Sequence, residues 1–120
     1  MTRRDNTMEG MRLSEFLRQA GRPQAFGRLV DGSAACAVAQ IVEEAFGLDP
    51  AKVATMKEAE LLRAVLAAYR IRIPRMRVAC RKCGGPVQLP EQLWQYVVHL
   101  NDQHLAPLHV IADALEELGL

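Results

Sequence analysis

Aromatic residues are scarce in this chain: one Trp, two Tyr and three Phe in 120 residues. Strands draw on aromatic and β-branched side chains, so the shortage argues against a sandwich or barrel, and the abundance of Ala and Leu favours helices. Long apolar runs are also missing, with none approaching the ~20 residues of a membrane span. The opening Met1-Thr2-Arg3-Arg4-Asp5-Asn6 lacks the apolar stretch of a secretory signal. Cysteine occurs three times, an odd number, and two of the three form a Cys-x-x-Cys. That pattern suits metal-bound thiolates in a reducing cytoplasm better than a disulfide framework.

Catalytic signatures are absent as well. The only serines are Ser14 and Ser33. There is no His-Glu-x-x-His, no phosphate-binding glycine loop and no Gly-x-Ser-x-Gly elbow. A zinc deaminase needs a His-x-Glu ahead of its cysteine pair, and nothing upstream of Cys80 supplies one. The chain therefore reads as no enzyme.

What is present begins with Cys80-Arg81-Lys82-Cys83, followed after fifteen residues by His99-Leu100-Asn101-Asp102-Gln103-His104. Two thiolates and two imidazoles at these spacings can close a tetrahedral shell around Zn²⁺, because the two-residue gap lets a tight knuckle aim both sulfurs at one point. Gly84 and Gly85 supply the left-handed backbone that a knuckle and hairpin require. His99 and His104 lie five positions apart, more than one helical turn. The helix carrying them must therefore end, tighten or distort at Asn101-Asp102 for both rings to face one ion. Asp102 is a candidate to orient a ligand imidazole. The plain alternative is an unrelated cysteine pair beside two satisfied histidines. Four ligands with legal spacings and glycines in the knuckle favour the metal. A shell of four protein ligands leaves no open position, so the zinc would be structural. His109 is expected at the surface beyond Pro107, and Cys36 as a buried apolar filler.

The rest reads as helix. Leu13, Phe16, Leu17 and Ala20 have amphipathic spacing, ended by Gly21 and Pro23. Gly27 to Gly32 reads as a turn, and Ser33 as the N-cap of a helix over 34–46 that Gly47 stops. Asp49-Pro50 signals another start, with a break near Thr55. Leu61, Leu62, Val65, Leu66 and Tyr69 continue as a helical stripe. Arg70-Ile71-Arg72-Ile73, and Arg75-Met76-Arg77-Val78 after Pro74, alternate cationic and apolar residues, as a half-exposed strand does. Pro86 to Leu89 is a return strand. Pro90-Glu91 opens a helix whose inner face is Leu93, Tyr96, Val97 and Leu100, and a last helix buries Leu108, Ile111, Ala112, Leu115 and Leu118.

Small-residue helix, cysteine pair and His-Leu-Asn-Asp-x-His together resemble a group of small bacterial and phage or prophage proteins, themselves functionally uncharacterised. In that group a Gly-x-x-Cys-Ala segment opens an alanine-rich helix, as Gly32-Ser33-Ala34-Ala35-Cys36-Ala37 does here. Their His-Leu-Asn-Asp-x-His run precedes an Ile-Ala-Asp helix, matched by Ile111-Ala112-Asp113. The likeness spans about residues 30–118. This chain has Ala106 and Ala114 where those proteins often carry tryptophans, so the last helix is expected to pack differently. The resemblance implies a zinc-bound module and no transferable activity.

The expectation is a mainly α fold of four or five helices with a small zinc-clipped β-hairpin in the C-terminal half. A flexible arm would cover 1–10, a helical region 11–70 and a zinc-binding hairpin–helix module 71–120, the last two packed as one compact unit. Although net charge is only +1, Arg70, Arg72, Arg75, Arg77, Arg81 and Lys82 form a run without an acid. Such a run can meet an acidic partner surface or nucleic-acid phosphates. A non-enzymatic, zinc-stabilised interaction protein is thus expected, cytoplasmic and of phage-like assembly, scaffold or regulatory type, with a protein partner or a second copy. A nucleic-acid-binding regulator is the alternative, and a zinc enzyme a further one.

Overall fold

Arg12 is where helical order begins: its amide donates to Glu15 Oε1 at 2.9 Å, so one of the orphan donors of a helix start is satisfied locally. The computed structural model describes residues 11–27, 30–31, 34–47, 52 and 57–120. Readings that fall on residues 1–10, Arg28, Leu29, Gly32, Ser33, Asp49-Pro50 and Thr55 lie outside them.

Helix α1 spans Leu13–Gln19 and buries Leu13, Phe16 and Leu17. A short hairpin follows, with β1 (Val30–Asp31) antiparallel to β2 (Ala34–Ala35). Helix α2 covers Ala37–Phe46, and Gly47, at φ 67, closes it in the left-handed conformation that a glycine adopts without strain. Helix α3 covers Glu58–Ala68. Strands β3 (Met76–Ala79) and β4 (Pro86–Leu89) pair antiparallel, with Met76 opposite Leu89 and Ala79 opposite Pro86. Helix α4 (Leu93–Val98) runs directly into a π turn at His99–Gln103. Helix α5 spans Leu108–Glu117. The described residues thus hold five helices and two small antiparallel sheets, a mainly α fold with its hairpin in the C-terminal half. No helix among them is long and apolar enough to cross a membrane.

Three sequence expectations need correction. The helix read from Ala34 starts at Ala37, with Cys36 as its N-cap. Ala34 and Ala35 are held extended instead, because Ala35 donates to Pro23 O at 2.9 Å and accepts from Ala25 N at 3.0 Å while pairing with Val30. The strand read over Arg70–Val78 exists only from Met76. Arg70 has φ 54, and Ile71 N returns to Leu66 O at 2.9 Å, so this stretch ends a helix before any strand begins. Pro74 lacks the N–H a ladder needs and lies just before β3. The helix read from Pro90-Glu91 begins at Leu93, after a turn in which Gln92 N donates to Gln88 O at 2.8 Å.

One apolar core runs through the molecule, from Leu13 in α1 through Ile41, Val65, Leu93 and Leu100 to Leu120. Helix α1 packs chiefly on α5 and α2, and α2 on α3. The chain end therefore returns to its beginning: Ser14 N donates to Leu120 O at 3.0 Å, and Arg18 pairs with Asp113 at 2.7 Å and with Glu116. Ala106 and Ala114 are both buried, so methyl groups fill the close contacts where tryptophans would need far more room.

Candidate metal centre

The knuckle between β3 and β4 sets the first two ligands. Cys80 N donates to Gly85 O at 2.7 Å and Gly84 N to Cys80 O at 2.8 Å, which folds the chain back within five residues. Gly84 takes φ 76, a conformation that few L side chains adopt. Lys82 N donates toward Cys80 Sγ at 3.4 Å, which fixes the sulfur within the knuckle. From the facing helix, Tyr96 Oη accepts from Arg81 N at 3.1 Å and so pins the knuckle to α4. Burial pushes the Tyr96 phenol upward, keeping it protonated. Arg81 also reaches Glu117 of α5 at 3.6 Å.

The other two ligands come from the widened turn. In a regular α-helix, residues five apart point about 140° away from each other. Here His104 N bonds to His99 O at 3.2 Å, the i to i+5 bond of a π turn, which brings both imidazoles to one side. The distortion expected from the sequence is present, and it widens the helix rather than tightening it. Leu105, at φ 49, then ends the turn, and Ala106 N closes on Leu100 O at 2.9 Å.

The result is a convergence of Cys80, Cys83, His99 and His104, with one ligand atom from each lying within 4.8 Å of all the others. Cys83 Sγ is 3.5 Å from His99 Nε2, and His104 Nε2 is 3.0 Å from His99 Nε2. Tetrahedral bonds of about 2.3 Å to sulfur and about 2.05 Å to nitrogen would put S···N at about 3.5 Å and N···N at about 3.3 Å. The observed separations are close to these, so the donor set fits a metal ion such as zinc. Cys80 is buried, the histidines are half-buried and Cys83 is exposed. The exposed flank of the cluster opens on a cavity of about 320 Å³ lined by Cys83, Pro86, Gln95 and His99 among others. His109 is exposed on α5 and takes no part in the cluster.

Asp102 corrects another expectation. It does not orient an imidazole; its Oδ1 accepts from Gly27 N at 2.8 Å and from Asn101 Nδ2 at 2.7 Å. Asn101, read from the sequence only as a place for the helix to end or distort, is 1% exposed and fully engaged. Its Oδ1 accepts from Ala37 N at 3.1 Å and Gln24 Nε2 at 2.8 Å, and its Nδ2 also donates to Ala25 O at 2.8 Å. Asn101 thus does for the start of α2 what a local Ser cap was expected to do. The signal for it was an Asn where the apolar face of the helix ends, a residue type that favours caps over helix interiors.

The basic residues do not form one strand face. Arg70, Arg72, Arg75, Arg77, Arg81 and Lys82 are all exposed, but only Arg77 lies in a strand. Arg75 pairs with Glu91 at 2.9 Å and Arg81 with Glu117, so these two charges are answered within the chain. Glu91 is held below the usual carboxylate range, first by a hydrogen bond from its own backbone and then by Arg75.

No family model, curated protein or solved structure matches this chain, and the functional reading therefore stands on the geometry of the Cys80, Cys83, His99 and His104 cluster and the surfaces around it.

Proposed function

We propose that this chain is a zinc-stabilised, non-enzymatic interaction protein whose partner is another protein, in a phage-like assembly, scaffold or regulatory role. The observation that carries the reading is the four-ligand convergence. With four protein donors the ion has no open position for a substrate, and its contribution is to folding. Free thiols as metal ligands suit a reducing, cytoplasmic compartment. One of the two serines, Ser14, is buried against the core of α1, where a substrate does not reach.

A second reading, nucleic-acid binding, draws support from Arg72, Arg77 and Lys82, which are exposed and lie outside every ion pair found among the described residues. Two observations weigh against it. Arg75 and Arg81 are already paired. Helix α4, which would have to enter a groove in a finger-like mode, turns Leu93, Tyr96 and Val97 into the core and starts after Glu91-Gln92.

Native mass spectrometry of the chain taken from its own cell tests both. One zinc per chain with a co-purifying protein is the expected result. A metal-free folded chain would end the zinc reading. A linear fall of log affinity for random duplex DNA with log salt, at about −0.9 per phosphate contacted, would replace the protein partner by nucleic acid.

A further inference from the structure

The four candidate ligands are unequally sheltered. Cys80 is 4% exposed and the two histidines are half-buried, whereas Cys83 lies open. Gly84 and Gly85 follow it and carry no side chain to cover its sulfur; a Cβ added at Gly85 would stand 3.5 Å from Cys83 Sγ. On this flank the cavity of about 320 Å³ is lined by Cys80, Cys83, Gly85 and His99 among others. A single water needs only about 10–15 Å³, so a molecule the size of hydrogen peroxide has ample room beside Cys83 Sγ.

The sheltered sulfur is close at hand. Cys80 Sγ lies within 4.8 Å of Cys83 Sγ. Closing that gap to the about 2.05 Å of a disulfide takes an approach of less than about 3 Å. The third cysteine, Cys36, is 5% exposed at the start of α2 and stands outside the cluster. One open thiol with a covered neighbour is the arrangement of an attacking and a resolving cysteine. A metal ion bound here would hold both sulfurs as thiolates, the nucleophilic form.

We propose that Cys83 is a peroxide-reactive thiolate and Cys80 its resolving partner, so that oxidation of the pair opens the four-ligand clip; this inference rests on the zinc reading above. Cys83 Sγ attacks one oxygen of hydrogen peroxide, the O–O bond breaks, and a sulfenic acid and a hydroxide result. Cys80 Sγ then attacks Cys83 Sγ, the S–O bond breaks, and a second hydroxide leaves. Two thiolates are oxidised to one disulfide while the peroxide takes up two electrons. Only His99 and His104 remain as donors, half of a tetrahedral shell. The hairpin has little else to hold it, since Val87 and Leu89 are its only buried strand residues. A dithiol reverses the change by exchange.

The test measures the zinc content of the full chain, then adds hydrogen peroxide and follows zinc release, free thiols after denaturation, and adducts of a sulfenic-acid trap by mass spectrometry. Zinc should leave in step with two thiols as a disulfide forms within one chain, and the trap should mark Cys83 and not Cys80. Cys36 should survive at least about tenfold longer, because burial bars the oxidant. Dithiol and zinc together should restore the starting state. Gly85 lies outside the left-handed region, so Gly85→Ala should bind zinc as the parent does. Its methyl beside the sulfur should slow thiol loss at least about threefold. Trapping at Cys80, earlier loss of Cys36, a disulfide between chains, zinc retained by the oxidised pair, or an unslowed Gly85→Ala would overturn the proposal. A zinc-loaded chain that keeps its ion and three thiols at peroxide levels that consume a small free thiol would sink this proposal alone. A chain that neither holds nor takes up zinc before peroxide is added would sink the zinc reading, and this inference with it.

Discussion

In the body made by α1, α2 and α5, Phe16, Leu17, Ile41 and Ile111 are each 2% exposed or less, and they interlock across three helices. Between Met76 and Leu89 only Val87 and Leu89 among the strand residues are buried. The first region has the apolar area to hold itself together, since each fully buried large side chain contributes roughly 1.5–3 kcal/mol. A lone two-stranded hairpin is marginal at best in water, and here four ligands converge on its turn and the helix behind it. Where burial is thin the four candidate ligands gather, and the two regions meet at Asn101, which belongs to the π turn carrying two of them but bonds to the start of α2.

The sharpest way to break this contrast is to deprive the four-ligand cluster of the zinc proposed for it. Structural zinc typically contributes an apparent ~10–16 kcal/mol near neutral pH, more than the about 5–15 kcal/mol of net stability in a typical domain. A strong chelator, or Cys83→Ser, should strip amide protection from residues 76–106 while Leu13–Gln19 and Leu108–Glu117 keep most of theirs. Hydrogen exchange read by mass spectrometry decides this, and protection indifferent to the chelator would refute it. Next in size, Phe16→Ala should destabilise the helical body by about 3–5 kcal/mol in denaturant, removing the edge-on contact with Tyr69 at 4.9 Å between ring centroids. Metal content should stay at one per chain, so the two regions should respond separately.

Asn101→Ala should disturb both regions with a smaller loss of about 2–3 kcal/mol, because Ala37 N and Ala25 O are left without their side-chain partner. Zinc stoichiometry should be retained while exchange at the first amides of α2 accelerates. The smallest effect belongs to the rim of the helical body. A hydrogen bond from Arg18 holds the Asp113 carboxyl below its ordinary range. Its contribution is therefore complete above the ordinary carboxylate pKa and fades as pH falls through the lower folded value. Following the Asp113 carboxyl carbon by NMR should show a depressed midpoint that Arg18→Ala restores, with little change in melting temperature, as expected of an exposed pair.

How much of this was legible beforehand varied with the range of the forces involved. Cys80, Cys83, His99 and His104 could be read together because coordination chemistry constrains ligand spacing tightly. The helices of Leu13, Leu61 and Leu108 could be read because apolar periodicity is local. The start of α2 could not: Ala34-Ala35 has no strand signature, and it is extended because Pro23 and Ala25, ten or more residues away, offer it a ladder. The alternating arginines misled for the opposite reason, since a pattern of period two forms a strand only where a partner strand is in reach, and β4 reaches only as far as Met76. The bonding of Asn101 to the start of α2 was missed because its partners come from distant segments, which no local pattern announces.

The π turn places two outputs on a single loop of backbone. Its imidazoles face the hairpin while the amide of Asn101, two residues after His99, grips the first turn of α2. The loop that carries two of the four candidate ligands is therefore tied by one side chain to a helix that contributes none of them. Were an ion to set the geometry of those imidazoles, the amide of Ala37 would be the first group of the helical body placed to register it.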